Sequence, residues 1–316
     1  MPAMVAGSLA IGQAQTSFDW LNDAATPRDA ALANAADIAG DPGPRLLNNE
    51  DTPRSVVAFD SDRQLYLAFT RYPADIRQEI IRLKVPVGRH KAGLEIRHFG
   101  YGTFAAYDEN GQENGDYTAA DLLVRTHFDY AAGELLTLSG AGGYISSHLS
   151  DVTAQALLWS VKAQLAVFPL NARIGVALQN RGRFIESYGI DGDDKLPATM
   201  LVGIAKSLAH LPLTLYLTVG ENQVTTQSIW RIGGEFRISE RLALRLGVDQ
   251  GKTDYQRGNA YADLLSGFSI GCGFRTGDAA ATGIGEHRRT SMMADMAVKL
   301  MGPLGVSSSI AVGLEF

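Results

Sequence analysis

From Ser55 to Phe316 the chain alternates apolar with polar or small residues in segments of about ten, separated by Gly, Asn, Asp or Pro. A period of two puts successive side chains on opposite faces, so each segment reads as a strand with one apolar and one polar face. Candidate strands fall at 55–59, 64–73, 76–87, 90–107, 115–131, 134–149, 152–168, 171–184, 196–208, 211–223, 226–239, 241–251, 260–276, 290–301 and 305–316. They number fourteen or fifteen, depending on whether 55–59 is a strand of its own. The segment 76–87 also fits helical spacing through Ile76, Ile80 and Leu83.

Two segments set the design. Leu94 and Ile96 alternate with Glu95 and Arg97, and Leu122, Val124, Thr126 and Phe128 alternate with Leu123, Arg125, His127 and Asp129. Between them DENGQENGD carries two Asn-Gly pairs and no apolar residue, as a hairpin tip with positive φ requires. Leu242, Leu244, Leu246 and Val248 oppose Ala243, Arg245, Gly247 and Asp249 in the same way. Met292, Ala294, Met296, Val298 and Leu300 oppose Met293, Asp295, Ala297 and Lys299. A charge facing lipid costs several kcal/mol, so the polar rows are expected inside and the apolar rows outside. The pattern predicts an all-β, antiparallel transmembrane β-barrel over 55–316. A soluble β-sandwich shares the alternation, but its strands are usually about five or six residues long, and a last strand ending in Phe316 is typical of outer-membrane barrels.

The N-terminal part is different. Residues 1–15, MPAMVAGSLAIGQAQ, are uncharged, small and apolar, with Gly-Gln-Ala before Gln15, and read as the remnant of a signal peptide; an apolar tail is the alternative, since a basic n-region is missing. No later stretch reaches the ~18 uninterrupted apolar residues of a membrane helix. Residues 16–54 are rich in Ala, Asp, Asn and Pro without β-alternation. Thr26 as cap and Pro27 in the first helical position predict a short helix through Ala30, Leu32 and Ala33, stopped by the Gly40–Pro44 cluster. Trp20, Leu21, Leu46 and Leu47 make a plug or lid a better reading than a linker.

Composition narrows the function. In 316 residues, 28 Lys and Arg stand against 34 Asp and Glu, with no basic block, which argues against a nucleic-acid partner. The single cysteine, Cys272, excludes an internal disulfide framework. Gly267-Phe268-Ser269-Ile270-Gly271 matches a nucleophile elbow, but it lies within a strand pattern with no helix to follow, and no lysine has a serine three residues before it. The histidines form no His-x-x-x-His pair. Asp191, Asp193 and Asp194 lack an EF-hand's ligand pattern and read as a solvated acidic loop. Gly140, Gly142 and Gly143 precede no helix that could present a dipole to a phosphate. No catalytic residue, metal or cofactor is expected. Arg125, His127 and Asp129 on one strand, and Arg173, Arg181 and Arg183 on or beyond another, are either cross-strand partners that stiffen the wall or a substrate track.

Four stretches carry a resemblance: FGYGTFAAYDENGQENGDYTAADLLV at 99–124, GVALQNRGRFIESYG at 175–189, LPATMLVGIAKSLAHLPLTLYLTV at 196–219 and IGGEFRISERLALRLGVDQG at 232–251. With FDWL and RDAALANA near the N-terminus, they make the chain resemble the PorV/PorQ family of outer-membrane proteins, relatives of the FadL-type fatty-acid transporters, and in particular its PorQ-like members in type IX secretion. The resemblance implies a FadL-like barrel, commonly of fourteen strands, in the outer membrane of a Gram-negative type envelope. Its partners would be outer-membrane lipid and type IX secretion components or secreted cargo, met through loops or rim. The family's Asn-Pro-Ala element is replaced here by Leu46, Leu47, Asn48, Asn49, Glu50 and Asp51. The competing function is a FadL-like conduit for a small hydrophobic molecule, which requires a continuous apolar cavity; a soluble periplasmic scaffold is a third. Trp20, Leu46, Leu47, Asn48, Asn49, Arg125, His127 and Asp129 are the candidate ligand- or partner-binding residues.

Overall fold

The computed structural model describes residues 16–40, 63–107, 111–150, 152–189, 194–239, 241–251, 265–276, 279–280 and 289–316. The predicted piece at 55–59 lies outside them. The strands are β1 (Gln64–Arg71), β2 (Arg77–Val87), β3 (His90–Tyr107), β4 (Glu113–Ala132), β5 (Leu136–Leu149), β6 (Val152–Val167), β7 (Ala172–Glu186), β8 (Thr199–Ser207), β9 (Leu213–Asn222), β10 (Ser228–Arg237), β11 (Leu242–Asp249), β12 (Phe268–Arg275), β13 (Ala279–Ala280), β14 (Arg289–Leu300) and β15 (Val306–Glu315).

Each strand is antiparallel to its neighbours. The two-residue β13 only flanks β14, which pairs with β12, and β15 closes on β1 from Gln64↔Glu315 to Arg71↔Ser308. The wall is therefore a closed barrel of fourteen strands. The ambiguous 76–87 segment is strand, because β2 is paired on both sides, with β1 and β3. Of the expected strand at 260–276, residues 260–264 lie outside the described residues, and β12 begins at Phe268, since Gly267 adopts φ +75° and turns the chain just before it.

Outward and inward rows follow the alternation. On β11 Leu244 and Leu246 face out, Leu246 at 62% exposure, while Arg245 and Asp249 are buried inside. Met296, Ile270 and Ile310 belong to the same outer belt, and Thr214, Tyr216 and Thr218 to the interior. An apolar belt around a closed, charged interior suits lipid outside, because the ring of fourteen strands closes on itself and the polar groups avoid hydrocarbon. Both Gln64 and Glu315 lie at one end, with the short turns 88–89, 133–135, 168–171, 208–212 and 238–241 and the longer connection 276–288; the connections 187–198 and 250–267 lie at the other. In outer-membrane barrels short turns face the periplasm.

Residues 16–40 run through the lumen. Thr26 caps α1 (Pro27–Ala31) by accepting the Asp29 amide at 3.1 Å, as the sequence predicts, and the helix stops early because Ala33 and Asn34 take left-handed φ values of +51° and +61°. The segment enters near the loop end, where the Ser17 amide donates to the Lys195 carbonyl, and reaches the turn end at Gly40, beside Gln164 and Arg173. Its path follows Gly175, Gly203, Gly233, Gly247 and Gly271 on β7, β8, β10, β11 and β12. A methyl group would sit 2.3 Å from the Ile38 carbonyl oxygen at Gly175, and 2.6 Å from the Ala33 nitrogen at Gly247. These inward glycines form a trough in which the segment's backbone lies directly on the wall.

Candidate functional site

The trough holds the segment to one side of the lumen and leaves space on the other. Polar side chains of the wall take up its exposed carbonyls: Gln164 donates to Ile38 at 2.8 Å, Thr218 to Ala35 at 2.9 Å and Lys162 to Asp37 at 3.1 Å. Gln179 holds the Asp37 carboxylate at 2.8 Å. Burial alone would raise the Asp37 pKa, but Lys162 and the Gln179 bond outweigh it and hold the carboxyl below its ordinary value.

Near the loop end the segment contributes aromatic rings. Trp20 stacks on Phe99 with centroids 5.2 Å apart and donates its indole N–H to Asp121 at 2.6 Å; Tyr101 donates to the same carboxylate oxygen at 2.7 Å. Phe18 stacks on Phe184 at 5.6 Å. With Leu123, Ile145, Leu158 and Leu196 they form an apolar cluster inside an otherwise polar lumen. Aromatic pairs at these separations add to the area they bury, so the cluster anchors this end of the segment.

Between the two anchorages Asn22 is a hub. Its side-chain amide donates to the Pro197 carbonyl (3.2 Å), its side-chain oxygen accepts from Asn180 (2.9 Å), and its backbone carbonyl accepts from Asn34 (3.1 Å) and Arg231 (3.3 Å). Two cavities flank it, one of about 530 Å³ toward the turn end and one of about 400 Å³ toward the loop end. Asn22, Asp23, Asn34 and Arg231 border both, so they form the partition. Removal from bulk water raises the Asp23 pKa despite Lys299 and Arg231 nearby.

Ion pairs line the wall. Glu235 accepts from Arg28 of the segment at 3.0 Å and from Arg245 at 2.7 Å, and Arg245 also binds Asp295. Lys299 meets Asp249 at 2.5 Å. Glu95 takes Arg82 at 2.5 Å and Arg97 at 3.1 Å, and Arg97 lies 5.5 Å from the Trp20 ring centre. Buried pairs of this kind fix geometry more than they add stability, since desolvation offsets most of their attraction.

Of the candidate residues, Trp20 sits in the aromatic cluster, and Arg125, His127 and Asp129 all border the turn-end cavity. Arg125 donates to the Asn180 side-chain oxygen at 3.2 Å and Arg181 to Gln223 at 2.9 Å. Leu46, Leu47, Asn48 and Asn49 lie outside the described residues, as do Asp191 and Asp193. Ser269 points into the lumen and donates to the Ala31 carbonyl at 3.2 Å from within β12, so no nucleophile elbow forms. Sequence reasoning missed the Asn22 hub and the glycine trough. Glycine recurring at inward positions of five strands was the available signal for the trough; the hub had none, because its partners come from four separate stretches.

No family model matches the chain, and no curated protein matches it in sequence. Solved structures do resemble it. The Ralstonia pickettii toluene transporter TbuX superposes with a TM-score of 0.56 at 13% identity, over 92% of this chain and 97% of that one. The fold is that of a FadL-like outer-membrane barrel. A Pseudomonas aeruginosa FadL homologue matches at a TM-score of 0.50 and 12% identity, over 92% of this chain and 97% of the other. The CymD monoaromatic hydrocarbon channel matches at 0.50 and 11%, over 92% and 96%. At these identities the likeness concerns the fold, and with the apolar belt it sets the FadL-like barrel in the outer membrane.

Proposed function

We propose that the protein is a FadL-like outer-membrane channel for small hydrophobic molecules, with residues 16–40 as its plug. The observation that carries this reading is the lumenal segment itself, which is anchored by the buried aromatic cluster of Phe18, Trp20, Phe99, Tyr101 and Phe184 and separates two chambers at Asn22. A small apolar solute arriving from the loop end enters the smaller chamber, and its passage requires the segment to yield at Asn22 and to open the buried rings to it. Two structural neighbours, the toluene transporter TbuX and the monoaromatic hydrocarbon channel CymD, support the solute class. The chambers are more polar than the continuous apolar tunnel expected of such a conduit, so the hydrophobic contact is confined to the cluster. The test is toluene titration of a Trp159→Phe, Trp230→Phe protein, in which Trp20 is the remaining tryptophan and is excited selectively over tyrosine. Saturable quenching that Phe99→Ala removes supports the channel; quenching that never saturates, or is unaffected by Phe99→Ala, counts against it.

A second reading, a PorQ-like component of type IX secretion, is favoured by one feature. The β3–β4 hairpin rises past its neighbours: β2 pairs with β3 only as far as Gly100, and β5 with β4 only from Ala119, so 101–107 and 113–118 form a ribbon with two unpaired edges. It carries a stacked Phe104–Tyr117 pair and belongs to one of the two more specific stretches of the resemblance to that family. Unpaired edges with exposed aromatics suit docking of another protein. Native mass spectrometry of the protein extracted from its own membrane separates the readings: bound secretion components or cargo favour this one, a bound small apolar molecule the channel.

A further inference from the structure

The turn-end cavity has an electrostatic bias that the channel reading leaves unused. Two rows of side chains run in register across β2, β3 and β4: Lys84, Gly93 and His127 in one, Arg82, Glu95 and Arg125 in the other. One carboxylate thus serves a group of arginines. Glu95 spends its oxygens on Arg82 and Arg97, and Arg125, directly opposite it in the pairing, turns instead to the neutral side-chain oxygen of Asn180. Among the described residues, Arg125 Nε and His127 Nε2 are buried without a hydrogen-bond partner. Arg97, only 3% exposed, leaves Nε and Nη1 unpartnered as well. Buried donors are rarely left unmet, each costing roughly 1–3 kcal/mol, so several in one wall of one cavity point to an acceptor.

The space for it is built in. The His127 ring lies against Gly93, where a methyl would come 2.0 Å from the ring. Ser139 and Ala141 on β5, opposite Asp129 and His127, are small. Asp129, two residues along β4 from His127, and Asp295 on β14 border the same cavity, Lys162 faces it from β6, and Asp23, Asp29 and Asp37 face it from the segment. Cations still exceed carboxylates in this wall.

We propose that the turn-end chamber binds a small organic anion, its carboxylate held by Lys84, Arg125 and His127 and its carbon body lying toward Tyr66 and Met293. This rests on the channel reading and narrows it: the solute is a hydrophobic acid, a one-ring or short-chain carboxylate, that passes the aromatic cluster with its apolar part and is held below the partition by its charge.

The experiment is calorimetric titration of the intact barrel in detergent with benzoate, toluene and inorganic phosphate in turn, on the unmodified protein and on Arg125→Gln and Arg125→Lys. Benzoate is expected to bind and to lose about tenfold or more in affinity in Arg125→Gln, the loss typical of a charged hydrogen bond, with most of the affinity restored in Arg125→Lys. Strand content and heat-dependent gel migration verify that each variant is folded. Benzoate binding equal in Arg125→Gln and the unmodified protein overturns the site, as does phosphate binding more tightly than benzoate, which would make the cavity a plain oxyanion site. Toluene binding that survives together with such a result leaves the channel standing without its acid site. Benzoate binding without toluene binding keeps the site and removes the neutral hydrocarbon from the channel's solutes.

Discussion

Replacing Gly175 by alanine tests whether the wall really carries the lumenal segment. The new methyl would lie 2.3 Å from the Ile38 carbonyl oxygen, 2.8 Å from its carbon and 3.1 Å from the Ala39 Cα, all backbone atoms that no rotamer change can move aside. Gly175 is a paired strand residue without positive φ, so alanine costs the wall nothing in conformation, and the strain falls on the segment. The segment has to retreat by about 0.7 Å or more, which works against the 2.8 Å bond from Gln164 to that same oxygen and the 2.8 Å bond from Gln179 to Asp37. Overpacking of this kind costs typically 1–3 kcal/mol; taking about 2 kcal/mol, the ratio of seated to released segment falls about thirtyfold. Hydrogen exchange reads this directly: amides of residues 31–40 should exchange about thirtyfold faster, while amides of β3–β6 keep their protection. Gly140→Ala is the control, because a methyl there has nothing within 4 Å. If Gly175→Ala and Gly140→Ala exchange alike, the trough does not hold the segment and the reasoning is wrong.

Arg245→Met removes the cation shared by Glu235 and Asp295; Glu235 keeps Arg28, while Asp295 is left as a buried carboxylate without this partner. A loss of about 3–5 kcal/mol is expected, seen as a lower temperature for the gel shift of the folded barrel, and an unchanged temperature would show the pairing to be dispensable. Asp37 gives a pH dependence. Its carboxyl is held below the ordinary 3.8, so it contributes to seating the segment above that pH, and the contribution is lost as pH falls through its depressed value. Exchange at residues 35–40 should therefore rise in strong acid in the unmodified protein and show no such step in Asp37→Asn. Asp23, whose pKa is raised, acts in the opposite sense, which is why the single-site variant is the informative one.

The wall was legible because its code is local. The strand from His90 to Tyr107 matches the expected segment residue for residue, and the rows on β11 and β14 face as their alternation requires, since one face must meet lipid and the other cannot. The short helix at Thr26 was legible for the same reason: a cap and a proline act within one turn. Inside the lumen the determinants are nonlocal. Nothing in the neighbourhood of Asn22 announces Asn34, Asn180, Pro197 and Arg231 as partners, separated from it by as many as 209 positions. Arg125 shows the limit most clearly. Its strand, its face and its place beside a cavity follow from period two, whereas its lack of a carboxylate follows from Glu95 being taken by Arg82 and Arg97, a competition between strands that pattern alone does not reveal.

Closure by β1 and β15 also constrains how the molecule is assembled. Gln64 and Glu315, joined side chain to side chain, are 251 positions apart, so the seam forms only when nearly the whole chain is available. Contacts so distant in sequence are slow to form, because a large loop has to be closed before they gain anything. The lumenal segment, which precedes β1 in the chain, packs on β7 to β12 through the glycine trough and reaches across to the seam itself, its helix lying against β14 and β15 and its Ala24 carbonyl accepting from Gln78 of β2. It is most simply laid onto the open, curling sheet before the edges meet; afterwards its aromatic rings would have to be drawn through a sealed cylinder. The segment then acts as a mandrel, a core around which the sheet curls, and its absence should slow closure even where the finished wall is no less stable.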